Sequence, residues 1–529
     1  MRLRNAFLIS ILCVGCSCKA PSPGKKEASK QKISINIESE PKTLDPRKVR
    51  SLNDINVVQS VMDGLMRVGK TGTTTLAIAE KYSVSEDMKT YLFNLKDTKW
   101  SNGDSVKASD FVYSWKKALS PDFNSDYAFL LYAIKNGKSI KQGLLPTSML
   151  GAVAKDDYTL QVTLENPTPF FLELLTLPIF FPVNQAVEKE NCDWARDADT
   201  FVCNGPFKIK DWRHNDVITC VKNNSYWDSG SVRLNRIEMV MVSAETGLKL
   251  FQNNELDWSG SPYSSIPTDA IPSLKNQNLI KSDPLLGTYW IRTNTESGPL
   301  KNQNLRKALA LAINRNEIVS HITHTYEPAT GIVPTSMGLQ QTPYFQDGQI
   351  EEARDLLRLA IEEDDLVLED FPDLVLTYSA DAKNHRIAQA IQDQWKKSLG
   401  ITVKLEAVEG SVCLEKVSKG NYQLAVGSWI ADFRDPINFL EIFKTKSIGT
   451  NNTNWESLHY QKALEATYLA KNREERMAEL KRSETILMSE MPILPIFHYT
   501  MLHVNNEKLK DVVLTDAGHI DFKWAYVEK

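Results

Sequence analysis

The sequence predicts an α/β protein with mixed sheets, on three observations. Tyr91, Phe93 and Leu95 alternate with Leu92, Asn94 and Lys96, the period of a strand with one buried face. Leu305, Ala308, Leu309, Ala312 and Ile313 recur on one helical face. Farther on, the segments 351–359 (helix), 374–378 (strand), 384–399 (helix) and 402–406 (strand) alternate, as a mixed or parallel sheet requires.

Taken in order, the chain opens with Arg2 and Arg4, an apolar run from Ala6 to Val14, and small residues with cysteines, which reads as a secretory leader over 1–15. The apolar run is shorter than the roughly 20 residues a membrane-spanning helix needs. The Pro/Ser/Gly/Lys-rich stretch 20–32 suits a tether too polar to pack. No later segment is long and apolar enough to cross a bilayer, so the mature chain is expected to be an exported, soluble body of two or three domains. Residues 33–37 then read as a first strand and 55–63 as a helix. After strand 91–95, Asn102, Gly103 and Asp104 supply a turn and Ser109 is the expected cap of a helix whose buried face is Phe111, Val112, Trp115, Ala118 and Leu119. Segment 158–164 reads as a strand and 170–175 as an apolar helix start behind Pro167 and Pro169, while Tyr226, Trp227 and 237–242 are expected to continue a sheet. Gly400 suits the C-cap of helix 384–399, and Pro492 to Phe497 reads as a late strand.

The 529-residue chain has a formal net charge of −4, which gives no support to nucleic-acid binding. Cys192, Cys203, Cys220 and Cys413 lie in the body; Cys192 with Cys203 is the nearest candidate pair, though spacing does not settle connectivity. None has a partner at Cys-x-x-Cys spacing, so no zinc site is expected. Gly64 to Thr71 satisfies P-loop spacing, yet a helix precedes it, apolar Leu65, Met66 and Val68 fill the loop, and Thr73, Thr74 and Thr75 discourage a following helix. A phosphate cradle needs the opposite context, so a strand with a Gly-Lys-Thr-Gly turn is the better reading. His321 and His324 lack a third ligand and read as surface or packing residues. No Gly-x-Ser-x-Gly or His-Glu-x-x-His motif is present, so no catalysis and no cofactor are expected.

Several strings, in order, resemble the solute-binding proteins that serve ABC importers of peptides and nickel, the oligopeptide-binding members most of all. They are the stretch from Leu76 to Trp115, Glu40 to Pro46, Cys203-Asn204-Gly205-Pro206-Phe207, Glu255-Leu256-Asp257, the Leu305–Ile313 helix, and Gln423 to Phe433. Val14-Gly15-Cys16 resembles a lipobox with Cys13 where Leu is usual, which would acylate Cys16; ordinary cleavage is the alternative. The resemblance implies a periplasmic-binding-protein-like two-lobed fold with mixed sheets and an extra inserted domain. It divides the chain into leader 1–15, lipidated tether 16–32, first lobe 33–62, inserted domain 63–172, first lobe again 173–286, second lobe 287–497 and a first-lobe return 498–529.

It also implies site residues. Asp432 would bind the α-ammonium of a peptide; Ser428 and Ile430 would offer backbone groups to an extended ligand beside Trp429, a strand addition. Arg50 and Leu52 would meet the ligand from the first lobe, Tyr113 would contact it, Tyr289 and Trp290 would line the cleft, and His385 would meet its carboxylate. Packing or capping readings of these positions stand beside the binding ones. The chain departs from enteric relatives at Val417 and Val426, where carboxylate-binding arginines are usual, with Lys419 nearby. The resemblance thus implies a monomeric, lipid-anchored periplasmic protein whose partners are an oligopeptide and an ABC permease. A dipeptide, murein tripeptide, nickel chelate or haem ligand remains open, as do an exported hydrolase and an adhesin or chaperone.

Overall fold

The computed structural model describes residues 31–340, 342–366, 371–446 and 449–529. The leader and Cys16 lie outside the described residues. Among the described residues no helix is long and apolar enough to cross a membrane.

An 11-stranded mixed sheet runs through the molecule. Its order is Val403–Val408, Leu374–Ser379, Leu424–Ile430, Lys281–Thr293, Ile493–Asn505, Trp258–Gly260, Lys32–Asn36, Arg236–Val240, Val217–Lys222 and Phe207–Arg213, with Glu327–Pro328 paired off the path. The two 13-residue strands, Lys281–Thr293 and Ile493–Asn505, carry the sheet from one lobe to the other. Their antiparallel register breaks between Pro284 and Thr288, which separates a first-lobe pairing from a second-lobe pairing. In the second lobe Leu374–Ser379 is parallel to both its neighbours, with helix Ala382–Leu399 as crossover. Asp381 caps that helix and Gly400, at φ 73°, ends it in the left-handed conformation glycine tolerates.

A separate four-stranded sheet of Ala79–Val84, Thr90–Leu95, Thr159–Thr163 and Ala152–Asp156 forms the inserted unit, with helix Ala108–Ala118 against it. Tyr91, Phe93 and Leu95 face its core as their alternation requires. The cap of that helix differs from expectation: Lys107 occupies the N-cap position, and the Asp110 carboxylate accepts from the Lys107 amide at 2.9 Å and the Trp100 indole at 3.1 Å. Asp110 thus reaches back to the N-cap amide, and Ser109 lies inside the helix, not at its cap. Met66–Val68 and Thr74–Leu76 form a hairpin around Gly69–Thr73, the non-phosphate reading of that glycine segment.

Asn204 and Gly205 fix the entry to the first-lobe sheet. Asn204 Oδ1 accepts from the Asp63 amide at 2.9 Å, its Nδ2 donates to the Asp63 carbonyl, and a Cβ on Gly205 would stand 2.3 Å from the Val61 backbone. Only glycine lets this turn seat on the end of helix Leu52–Val61. Tyr226 and Trp227 do not continue the sheet; they sit in a turn that brings the Tyr226 hydroxyl and Trp227 indole onto buried Asp63. All four body cysteines are free: Cys203, Cys220 and Cys413 are buried and Cys192 is exposed, so the Cys192–Cys203 pair is not formed.

Candidate functional site

Strand Leu424–Ile430 is the element that shapes the site. One edge pairs along its whole length with Lys281–Thr293. On the other edge Leu376 and Thr377 pair with Leu424 and Ala425, and no described strand pairs beyond them. From Val426 to Ile430 the backbone therefore presents an open ladder, with Ser428 and Ile430 exposed and Trp429 half-buried. An open run of N–H and C=O groups is a template for an added extended chain.

Two residues beyond the strand stands Asp432, where three parts of the chain converge. Burial raises the Asp432 carboxyl above the ordinary range, opposed by hydrogen bonds from the Tyr127 hydroxyl and the Asn438 amide. Asn438 Oδ1 in turn accepts from the Trp429 indole at 2.7 Å and holds the two side chains in one arrangement. Both groups donating to Asp432 are neutral, and among the described residues it has no ion pair, so a half-buried carboxylate is left without a countercharge.

Asp432 lies between two cavities. One, of about 200 Å³, is lined by Arg50, Leu52, Tyr127, Ile430 and Asp432, with buried His519 at its floor. The other, of about 880 Å³, lies between the inserted unit and the second lobe and is walled by Phe129, Tyr132, Phe170, Trp429, Phe433 and Tyr468. The smaller is below the range of whole-ligand pockets and fits one side chain; the larger lies within that range. Phe170 stacks on Phe433 at 4.9 Å and closes one end between them.

The structure thus brings together Arg50, Leu52, Trp429, Ile430 and Asp432, with Ser428 on the adjoining open edge. Other expected residues lie elsewhere. Tyr113 donates to Glu188, itself paired with Arg47, and is pushed up to about 12 by burial and that carboxylate. Tyr289 and Trp290 do not line the cleft: each is about 2 % exposed or less, Tyr289 stacked on Phe497 and Trp290 edge-on to Phe443. They point to opposite faces of a central strand whose two faces are both covered, so aromatic type reported core rather than surface. His385 is exposed on the first turn of helix Ala382–Leu399, its Nδ1 2.7 Å from the Tyr378 hydroxyl, outside both cavities. Val417 is buried with Tyr422 and Ala425, and Val426 packs on the second-lobe core, so neither position offers a charge. Lys419 is held by Glu415.

Tyr127 and His519 are site residues the sequence reading missed. Tyr127 precedes a short 3₁₀ turn of the inserted unit, and only the tertiary fold carries it to Asp432. His519 is pushed down to about 4 by burial and is neutral at physiological pH. Neither sits in a periodic or motif context that could have signalled it.

Comparison with known proteins decides the family. The model of the bacterial extracellular solute-binding proteins, family 5 (middle), matches residues 73–451. The chain belongs to this family. The family-5 chain is 39 % identical to the oligopeptide-binding protein OppA of Bacillus subtilis over 95 % of its length and 94 % of that protein's. It is 30 % identical to the periplasmic murein peptide-binding protein MppA of Escherichia coli, over 94 % of itself and 92 % of MppA. Among solved structures, the unliganded open form of the murein tripeptide-binding protein MppA superposes with a TM-score of 0.83 at 26 % identity, covering 94 % of this chain and 97 % of that one. OppA of Haemophilus influenzae in complex with the peptide RPPGFSPFR superposes at 0.74 with 28 % identity, over 94 % and 99 % of the two chains. Family-5 proteins are extracellular solute-binding proteins, and the two-lobed fold described above is theirs.

Proposed function

We propose that this chain is the peptide-capturing component of an ABC importer. It would take an oligopeptide between its lobes, anchor the α-ammonium on Asp432, and deliver the ligand to a membrane permease. The observation that carries this reading is a half-buried carboxylate without a countercharge two residues beyond a strand whose outer edge is open: the carboxylate fixes polarity and the ladder binds main chain without regard to side chains. Tyr127 and Asn438 hold the carboxylate in place, and the small cavity beside Arg50 and Leu52 receives a side chain near the ligand's amino end. The relatives' peptide-binding names support the same ligand class. Acylation at Cys16, a monomeric state and a periplasmic, membrane-tethered location complete the proposal.

A murein peptide is the competing ligand, favoured by the missing arginines at Val417 and Val426 and by the likeness to MppA. The test is to incubate the protein with a labelled pool of two- to six-residue peptides and murein tripeptide, then release and weigh what stays bound. Intact oligopeptides are the expected outcome; cleaved fragments would contradict a carrier role, and retention of murein tripeptide alone would shift the ligand.

A further inference from the structure

Arg292 lies next to the ligand strand with no partner for its charge. Its register partner on Leu424–Ile430 is Ala425, and Trp290 opposes Gly427 and Thr288 opposes Trp429. These six residues share one face of the sheet. Because Ala425 and Gly427 are small, that face has a trough across the strand, and Arg292 lies in it: a Cβ on Gly427 would stand 2.9 Å from Arg292 Nη2 and 2.5 Å from Trp290 Nε1. The guanidinium therefore reaches diagonally past Ala425, the last residue paired with Leu374–Ser379, to the point where the open edge begins.

Nothing described neutralises it. Arg292 Nε and Trp290 Nε1 have no hydrogen-bond partner, and the electrostatic neighbours of Arg292 are Tyr422 and Cys413, with no carboxylate among them. The Trp290 ring, 5.9 Å from the guanidinium, is a weak substitute. The buried arginines are provided for, Arg47, Arg67 and Arg315 by carboxylates and Arg306 by backbone carbonyls, and so is Arg476, half-buried like Arg292, by Asp435. A guanidinium stays charged under all ordinary conditions, and placing one in a poorly solvated site without an anion is costly, so the arrangement is that of a site awaiting an anion.

We propose that Arg292 is a specificity residue of the ligand site that receives a carboxylate of the bound peptide, from an acidic side chain or from the chain terminus. This rests on the peptide-binding reading above and supplies the cation that Val417 and Val426 lack. Asp432 and Gly427 are separated by roughly 16 Å of extended strand, which puts the acidic group about three to five residues from the ligand's amino end.

The test is calorimetric, on the mature chain, with alanine-based tetra- and pentapeptides in which Glu is scanned against Gln, each made as the C-terminal acid and amide. At one position, or at the terminus, the acidic form should bind about ten- to a hundredfold tighter than its neutral twin, the range of a charge-assisted hydrogen bond. The scan identifies which source of carboxylate is used. Arg292→Met should collapse that ratio toward one, and Arg292→Lys should retain part of it. Ratios near one at every position in the unaltered protein overturn the proposal, as does a preference that survives in Arg292→Met. If Arg292→Met does not fold, the unaltered protein and Arg292→Lys decide it: a ratio undiminished in Arg292→Lys overturns it. Failure of every peptide, charged or neutral, to bind would instead remove the peptide-binding reading and this inference with it.

Discussion

At the scale of single residues, Asp432 is the group whose charge state governs ligand capture in the proposed function. Its burial without a cation raises its pKa, and two neutral donors keep it from rising further. A protonated carboxyl cannot pair with an ammonium, so peptide affinity should be constant at neutral pH and fall on acidification, beginning above the pH at which an ordinary aspartate titrates. Tyr127→Phe removes a donor that favours the charged form, so the fall should begin at a higher pH; affinity measured against pH in both proteins checks this. Asp432→Asn keeps the shape and removes the charge, and should cost free-amine peptides about 1–2 kcal/mol, with the N-acetylated peptides little affected.

At the scale of elements, helix Arg473–Glu490 carries a fully buried acid. Glu484 is fully buried and accepts from the Val333 amide at 2.8 Å and the Tyr344 hydroxyl at 2.9 Å, tying the 331–344 connection to the helix. Burial pushes it up to about 7. Its folded-state pKa lies above the unfolded value, so its contribution to stability is complete below about pH 4.5 and is lost as pH rises through 7. Across that interval the protein should lose roughly 3 kcal/mol of unfolding free energy relative to Glu484→Gln. Denaturant melts of both proteins at several pH values measure it.

Elements were also where the sequence was most readable. Tyr91, Phe93 and Leu95 and the helix over 384–399 were legible because each buries one face, and burial on one face is what periodicity records. Tyr289 and Trp290 are placed at the cleft by resemblance alone, whereas here they fill the core on the two covered faces of a central strand. Tyr127 was invisible because its role is made by a contact between the inserted unit and the second lobe, and Ser109 reads as a cap because a hydroxyl is a common local signal, although the helix starts two residues earlier than that requires. The open edge from Val426 to Ile430 is a property of sheet order, which no local pattern carries. Asp432 was legible only through a family resemblance, since an acid after a strand has ordinary local uses.

At the scale of the whole molecule, two long strands run from one lobe to the other, and side-chain contacts beside the ligand site add to that link. One is the ion pair in which Arg434, two residues after Asp432, donates to Asp516 at 3.0 Å. The Asp516 segment belongs to the first lobe through Asn56, which bonds the Gly518 carbonyl and the Ile520 amide. Because Arg434 is half-exposed, the pair is worth no more than about 1 kcal/mol, and Arg434→Ala should change peptide affinity less than about tenfold. A larger loss, measured by titration, would make this pair part of the ligand contact. Peptide should also close the lobes, since a ligand held on the second-lobe edge and Asp432 would touch Arg50 and Leu52 of the first lobe at the same time, and the radius of gyration by small-angle scattering should fall on saturation.

The central claim is that Asp432 reads the amino end of an extended peptide. Calorimetric titration of the mature protein with peptides and their N-acetylated twins tests it most directly. Tight binding of the free peptides, weakened about five- to thirtyfold by acetylation, is the predicted result. Equal affinity for both forms would contradict it and remove Asp432 from the ligand contacts.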